Sequence, residues 1–107
     1  MTDATAQVDH NADGGVRITV TGEIDMDNAA GVEQQILAAI SNQLTEVTLD
    51  LGGLDYIDSA GLRVLFTLGT RLDTLQIALQ IVVPHESPIR RVIELGGLSG
   101  TIRIASH

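Results

Sequence analysis

Ser59 is the residue with the clearest opening for covalent chemistry. It follows Asp58 and stands between a strand-like apolar run and a helix-patterned one. A serine hydroxyl there has three uses. It, or the Asp58 carboxylate, can cap the helix, a role typically worth about 1 kcal/mol. It can be a nucleophile, or it can accept a group from another enzyme. A nucleophile needs a base. His85 lies after the next strand-like run, and Asp50 or Asp58 could orient it. Against that stands the missing G-x-S-x-G elbow, and a chain of this size has little room for a cleft. His85 then reads as a surface residue beside Pro84, and His10 and His107 as solvated groups near the chain ends.

Two further groupings offer chemistry. Asp25-x-Asp27 could hold Mg²⁺, but aspartyl phosphotransfer would also need a cation such as lysine. Capping and turn roles fit the pair better. Gly52-Gly53 and Gly96-Gly97 could cradle phosphate. Neither has dinucleotide-site or P-loop spacing, so turn geometry is preferred.

Composition narrows the chemistry further. The chain has 107 residues, no cysteine and six arginines as its only strong cations, for a formal net charge of −8. Disulfides, thiolate metal sites and cysteine nucleophiles are excluded. Lysine chemistry, from Walker-type phosphate binding to Schiff bases, is closed. Nucleic acid and anionic membranes would be repelled. Apolar residues make up 44% and aromatics 2%, so the core must be aliphatic. The polar start does not resemble a signal peptide, and no apolar run is long enough to span a bilayer. A cytoplasmic, monomeric protein with no cofactor is the expectation.

The elements that must position Ser59 follow from periodicity. Residues 1–6 read as a loose arm and 7–10 as a short strand. After turn chemistry at Asn11 to Gly15, Val16, Ile18 and Val20 alternate with Arg17, Thr19 and Thr21, the period of a half-buried strand. A first helix, capped by Asp25 or Asp27, should bury Ala29, Val32, Ile36, Ala39 and Ile40, with Leu37 at the edge, and end near Ser41. Residues 46–51 form the next strand and 52–58 a loop. A second helix then buries Leu62, Leu65, Phe66, Gly69 and Leu72, a stripe widened by Val64 and Leu68. Residues 77–83 read as a central strand covered on both faces. Ser87-Pro88 starts a third helix burying Ile89, Val92, Ile93 and Leu95, ended by a left-handed Gly96. Residues 101–104 make a last strand. The order ββαβαβαβ predicts one small α/β domain over 1–107. Its mixed sheet should carry helices mainly on one side. Ser59 then falls at the carboxyl end of a parallel strand, where function gathers in such sheets.

Residues 50–66, DLGGLDYIDSAGLRVLF, resemble the signature of STAS domains, and most closely of anti-sigma factor antagonists. VTGEIDMDNA, residues 20–29, is similar to the family's second strand and first loop. The resemblance implies a switch. Ser59 would be phosphorylated by an anti-sigma factor with a histidine-kinase-like ATPase fold, and a PP2C-type phosphatase would reverse this. The unphosphorylated form would bind the anti-sigma factor and free a sigma factor. ATP would belong to the kinase. Asp25 and Asp58 match positions near the partner surface. With Ser59, Ala60, Gly61 and Arg63 they make up the expected partner-binding set, Gly61 by allowing close approach. Ala60 stands where many relatives have a second serine or threonine, and Arg63 where glycine is frequent. Either departure would shift which kinase recognises the site. Arg63 is also one turn from Ser59, within reach of a phosphate there. The other reading of the same family is a STAS subunit of a transporter-associated or stressosome-like assembly, or a nucleotide sensor.

Overall fold

The computed structural model describes residues 3–96 and 103–105. Five strands, β1 (Ala4–His10), β2 (Gly15–Ile24), β3 (Glu46–Ile57), β4 (Ala78–Val82) and β5 (Arg103–Ala105), alternate with α1 (Ala29–Ala38), α2 (Ser59–Thr74) and α3 (Arg90–Leu95) in the order ββαβαβαβ. They form one sheet in sequence order, with β1 antiparallel to β2 and the other pairs parallel. The expected α/β class and element order hold. The expected arm does not: β1 begins at Ala4, and Ala4 to Ala6 pair with Gly22 to Val20. Of the last strand as expected, residues 101 and 102 lie outside the described residues, as do Gly97 and His107.

Alternation along the strands sets the core. Val16, Ile18 and Val20 of β2 are buried with Val47, Leu49 and Leu51 of β3, and Ile81 and Val83 continue the layer. The same cluster takes Val32 and Ile36 of α1, Val64, Leu65, Leu68 and Leu72 of α2, and Ile93 of α3. One cluster holding all three helices puts them on one side of the sheet. The other face is wetter: Arg17 of β2 and Asp50 of β3, diagonal neighbours two residues apart in register, form an ion pair there. On β4, Ala78 is exposed and Gln80 half-buried, so that strand is not covered evenly on both faces as expected.

The helices are rotated from their sequence-based faces. α2 buries Gly61, Val64, Leu65, Leu68 and Leu72, while Phe66 is 43% exposed. Apolar residues run so far round α2 that periodicity admits neighbouring faces, and contact with the sheet selects one. Ile89, the N-cap of α3, and Ile93 within it are buried, but Val92 and Leu95 face outward, since a six-residue helix presents too few turns for a wide stripe. Gly96 is right-handed, with φ −73°, and donates its N–H to the Val92 and Ile93 carbonyls. The expected left-handed cap is therefore absent. α1 stops at Ala38, a little before its expected end.

The largest correction concerns residues 52–57. They are not a loop but the second half of β3. Thr19 pairs with Asp50 and Thr21 with Gly53, then Gly22 with Leu54 and Glu23 with Tyr56. Each step leaves one extra residue on β3, the signature of a β-bulge. Two bulges shift the inward phase from Leu51 to Leu54 and again to Ile57. A period-2 search loses the strand at the first shift. The extension matters for function because it carries the β3–α2 junction well beyond the end of β4.

Candidate functional site

The junction is built on Asp58. Its Oδ1 accepts the N–H groups of Ala60 and Gly61 at 2.9 and 3.1 Å, capping α2. Its Oδ2 accepts the Met26 N–H at 3.2 Å. Its own N–H donates to the Ile24 carbonyl at 3.2 Å. A single carboxylate thus ties the β2–α1 loop to the start of α2. Both ends of the tie suit a negative charge: unpaired helix N–H groups on one side, a turn amide on the other.

The β2–α1 loop holds itself in shape. Asp25 is not the cap of α1, and neither is Asp27. Asn28 occupies that position, without a side-chain capping bond. Asp25 Oδ1 accepts the Asp27 N–H at 2.9 Å, and the Asp25 carbonyl accepts from Asn28 and Ala29. Asn28 Oδ1 accepts the Asp25 N–H at 3.0 Å while its amide donates to the Glu23 carbonyl. This is Asx-turn chemistry. It leaves Met26 at the loop tip, 79% exposed. No group of three or more His, Asp or Glu among the described residues could hold a metal ion.

Ser59 is the first residue of α2, and its side chain is exposed beside half-buried Asp58. Ala60 is half-buried and Arg63 exposed. Gly61 is buried. A Cβ there would lie 2.5 Å from Ile57 Cγ1 and 3.0 Å from Ile24 Cγ2. The close approach expected of Gly61 is therefore internal: it lets the first turn of α2 settle on the ends of β2 and β3. Of the six residues singled out from sequence, Asp25, Asp58, Ser59, Ala60 and Gly61 come together where the β2–α1 loop meets the start of α2. Arg63 lies one turn further along α2, on its exposed side.

The hydrolase reading fails on distance. β4 pairs with β3 only as far as Asp50 opposite Val82. Pro84 then packs beside Gly52, and His85 is exposed. From Gly52, β3 runs five residues further before the junction, roughly 15 Å of strand at about 3.3 Å per residue. His85 and Ser59 thus stand at different levels of the sheet. Asp50 is engaged by Arg17 and by the Gly52 N–H, and Asp58 faces Met26 and α2.

A residue not singled out from the sequence also joins the site. Met26 and Ala60 line a groove of about 350 Å³ between α1 and α2, which Arg63 and Glu33 border. The available signal was an apolar side chain between two acids, in a loop and off any periodic face.

Ser59 stands exposed at a strand-to-helix junction that Asp58 caps and ties to the β2–α1 loop. The STAS domain family model matches residues 4–107, and the chain belongs to that family. It is 33% identical over 98 residues to the anti-sigma-F factor antagonist RsfB of Mycobacterium tuberculosis, covering 92% of this chain and 77% of that protein. The crystal structure of an anti-sigma factor antagonist from Mycobacterium paratuberculosis superposes with a TM-score of 0.85 at 28% identity, covering 98% of this chain and 87% of that one. The fold is also that of the Bacillus cell fate determinant SpoIIAA in its phosphorylated form, with a TM-score of 0.69 at 21% identity, covering 96% and 93% of the two chains.

Proposed function

We propose that this chain is an anti-sigma factor antagonist switched by phosphorylation at Ser59, and that it is not itself an enzyme. The observation that carries the reading is an exposed Ser59 hydroxyl at the head of α2, next to the Asp58 cap and with His85 far along the sheet. The partner is an anti-sigma factor with a histidine-kinase-like ATPase fold, acting in the cytoplasm. Unphosphorylated, the Asp58–Gly61 turn and the Asp25 loop dock on it and release a sigma factor. The kinase then transfers the γ-phosphoryl of its ATP. The Ser59 oxygen bonds to phosphorus, the bridge to ADP breaks, and the hydroxyl proton leaves. A PP2C-type phosphatase hydrolyses the ester and restores the hydroxyl.

The charge change explains the switching. Phosphate brings about −1.5 to −2 charges at pH 7. The N-terminus of α2 favours this by about 0.3–1 kcal/mol, so the domain stays folded. On the outside, the new charge sits beside Asp58 and near a loop carrying Asp25 and Asp27. A surface shaped for docking becomes bulkier and more negative. A tenfold loss of affinity needs only about 1.4 kcal/mol.

Mass spectrometry after incubation with the kinase and ATP should show one phosphate, on Ser59. No phosphate, or phosphate on another residue, would overturn the reading. Ser59→Ala should bind the kinase persistently, and Ser59→Glu should bind at least about tenfold more weakly.

A further inference from the structure

β1 is the outermost strand, and among the described residues only β2 pairs with it. The Glu23 N–H donates to the Asp3 carbonyl and the Asn11 N–H to the Gly15 carbonyl, each at 2.9 Å. These bonds set the phase of the strand. Odd residues from Asp3 to Asn11 direct their backbone groups to β2, so Ala4, Ala6, Val8 and His10 direct theirs away from the sheet. Native edges are commonly blunted by lysine, proline, a bulge or an inward charge. β1 has no proline, keeps its register without a shift, and carries no charge from Ala4 to Val8. The opposite edge strand, β5, is described over three residues and starts with Arg103.

We propose that two copies of this chain pair through β1, antiparallel about a two-fold axis at Gln7, and join their sheets into one. This goes beyond the Ser59 switch, and it stands in place of the monomer expected from the sequence. A symmetric pair must set even residues opposite even residues, because those carry the outward backbone groups. With the axis at Gln7, Ala4 meets His10 of the second copy and Ala6 meets Val8, each pair exchanging both backbone bonds. All of Ala4–His10 is then used. With the axis at Ala6 instead, Asp3 would stand opposite Asp9, a like-charge pair, and His10 would be left over.

Three features favour a second copy over an unrelated strand. First, Ala4, Ala6 and Val8 are only half-buried against the core, and pairing Ala6 with Val8 completes that apolar row. Second, Ala4 lines a groove of about 210 Å³ with Asp27, Asn28, Gly31 and Gln35. His10 shares the face of Ala4 by alternation. Set opposite Ala4, the second copy's His10 brings an imidazole N–H to the Asp27 carboxylate, and symmetry makes the contact twice. Third, α1 packs over β1 and β2, with α2 on its far side. Strands stand about 4.8 Å apart, so α1 lies roughly 5 Å from the axis. The two copies of α1 are then roughly 10 Å apart, a packing distance for helices. The flanks that meet carry Gly31 and Gln35, while Glu33, the only charge in α1, lies beside α2. Ser59 stays free, because β2 separates β1 from β3. Antiparallel pairing sends the two Ser59 junctions to opposite ends of the joined sheet, so one dimer offers two switches.

Sedimentation equilibrium of the full chain should show a concentration-dependent monomer–dimer equilibrium. A parent that stays monomeric up to about 1 mM overturns the proposal. Gly31 is exposed, and a Cβ there meets nothing within 4 Å, so Gly31→Arg should fold normally. It should weaken the dimer roughly tenfold or more, whereas Gln34→Arg, exposed on the same helix and equal in charge change, should stay within about twofold. His10→Glu should also weaken the dimer, and adding Asp27→Arg should restore it.

The chain has no cysteine, so single thiols read the register. Gln7→Cys sets two thiols across the axis with Cα atoms about 4.5 Å apart, within disulfide reach. Diamide, as oxidant, should convert this variant to a covalent dimer. In Thr5→Cys the two thiols stand four residues out of register, roughly 13 Å apart, and should not join. Crosslinking of Gln7→Cys alone supports the proposal. Crosslinking of neither variant, or of both alike, overturns it, as does a dimer that Gly31→Arg weakens no more than Gln34→Arg.

Discussion

At the scale of single residues, Asp58 and Gly61 show how closely stability and presentation are joined. Asp58 satisfies three backbone N–H groups on two segments. Asp58→Ala should lower stability by about 1–2 kcal/mol, the range for a lost N-cap. Asp58→Asn keeps an acceptor and should lose clearly less. Urea midpoints of the two variants check this, and equal losses would mean that charge rather than acceptance matters. Gly61 is a different case, because its constraint is volume. A methyl group at 2.5 Å from Ile57 Cγ1 meets a branched, enclosed side chain and not a flexible tip. Gly61→Ala should therefore cost about 1–3 kcal/mol through overpacking. Thermal denaturation would show it, and a neutral result would mean that α2 can tilt away freely. Asp-Ser-x-Gly thus divides its labour: the aspartate holds two loops, the serine faces solvent, and the glycine seats the helix.

At the scale of elements, β3 and α1 carry the lessons. β3 is long, and its two bulges turn its later residues so that Leu54 and Ile57 still face the core. Without the extension, α2 would start near the end of β4, and Ser59 would share a level with His85. α1 is helical in spite of Gly31, which is exposed, and a Cβ added there would meet nothing within 4 Å. Nothing about packing or backbone calls for glycine there. Gly31→Ala should raise stability by about 0.5–1 kcal/mol, read from a rise in the denaturation midpoint. No change would indicate that α1 is already held entirely by Val32 and Ile36.

At the scale of the molecule, one aliphatic core supports the whole display. Among the described residues no polar or charged side chain is buried, and Ile18, Leu49 and Ile81 lie fully enclosed on three adjacent strands. Leu49→Ala removes a side chain at the centre of that layer. It should cost about 2–5 kcal/mol, a fall in Tm of about 10 °C or more for a domain of this size. Because two of the elements that meet at the junction grow from the same layer, partner binding should fall in parallel as the temperature approaches that midpoint. A variant that lost binding well below its midpoint would separate the surface from the core.

Much was legible in the chain itself. Helical and strand periods revealed the order of the elements, because a face that packs on a core must repeat with the geometry of its backbone. Asp58-Ser59 before an apolar run marked a helix start, since capping is local chemistry. Missing lysine and cysteine excluded whole mechanisms. The tertiary structure decided the rest. It rotated α2 so that Phe66 faces out, because only the sheet can choose among several apolar faces. It turned residues 52–57 from loop to bulged strand, because pairing with β2 tolerates breaks that periodicity does not. It brought Met26 to Asp58 from thirty-two residues away, a contact between segments that no local pattern encodes. Sequence placed a serine at a helix start, and three-dimensional pairing set that helix start against the β2–α1 loop.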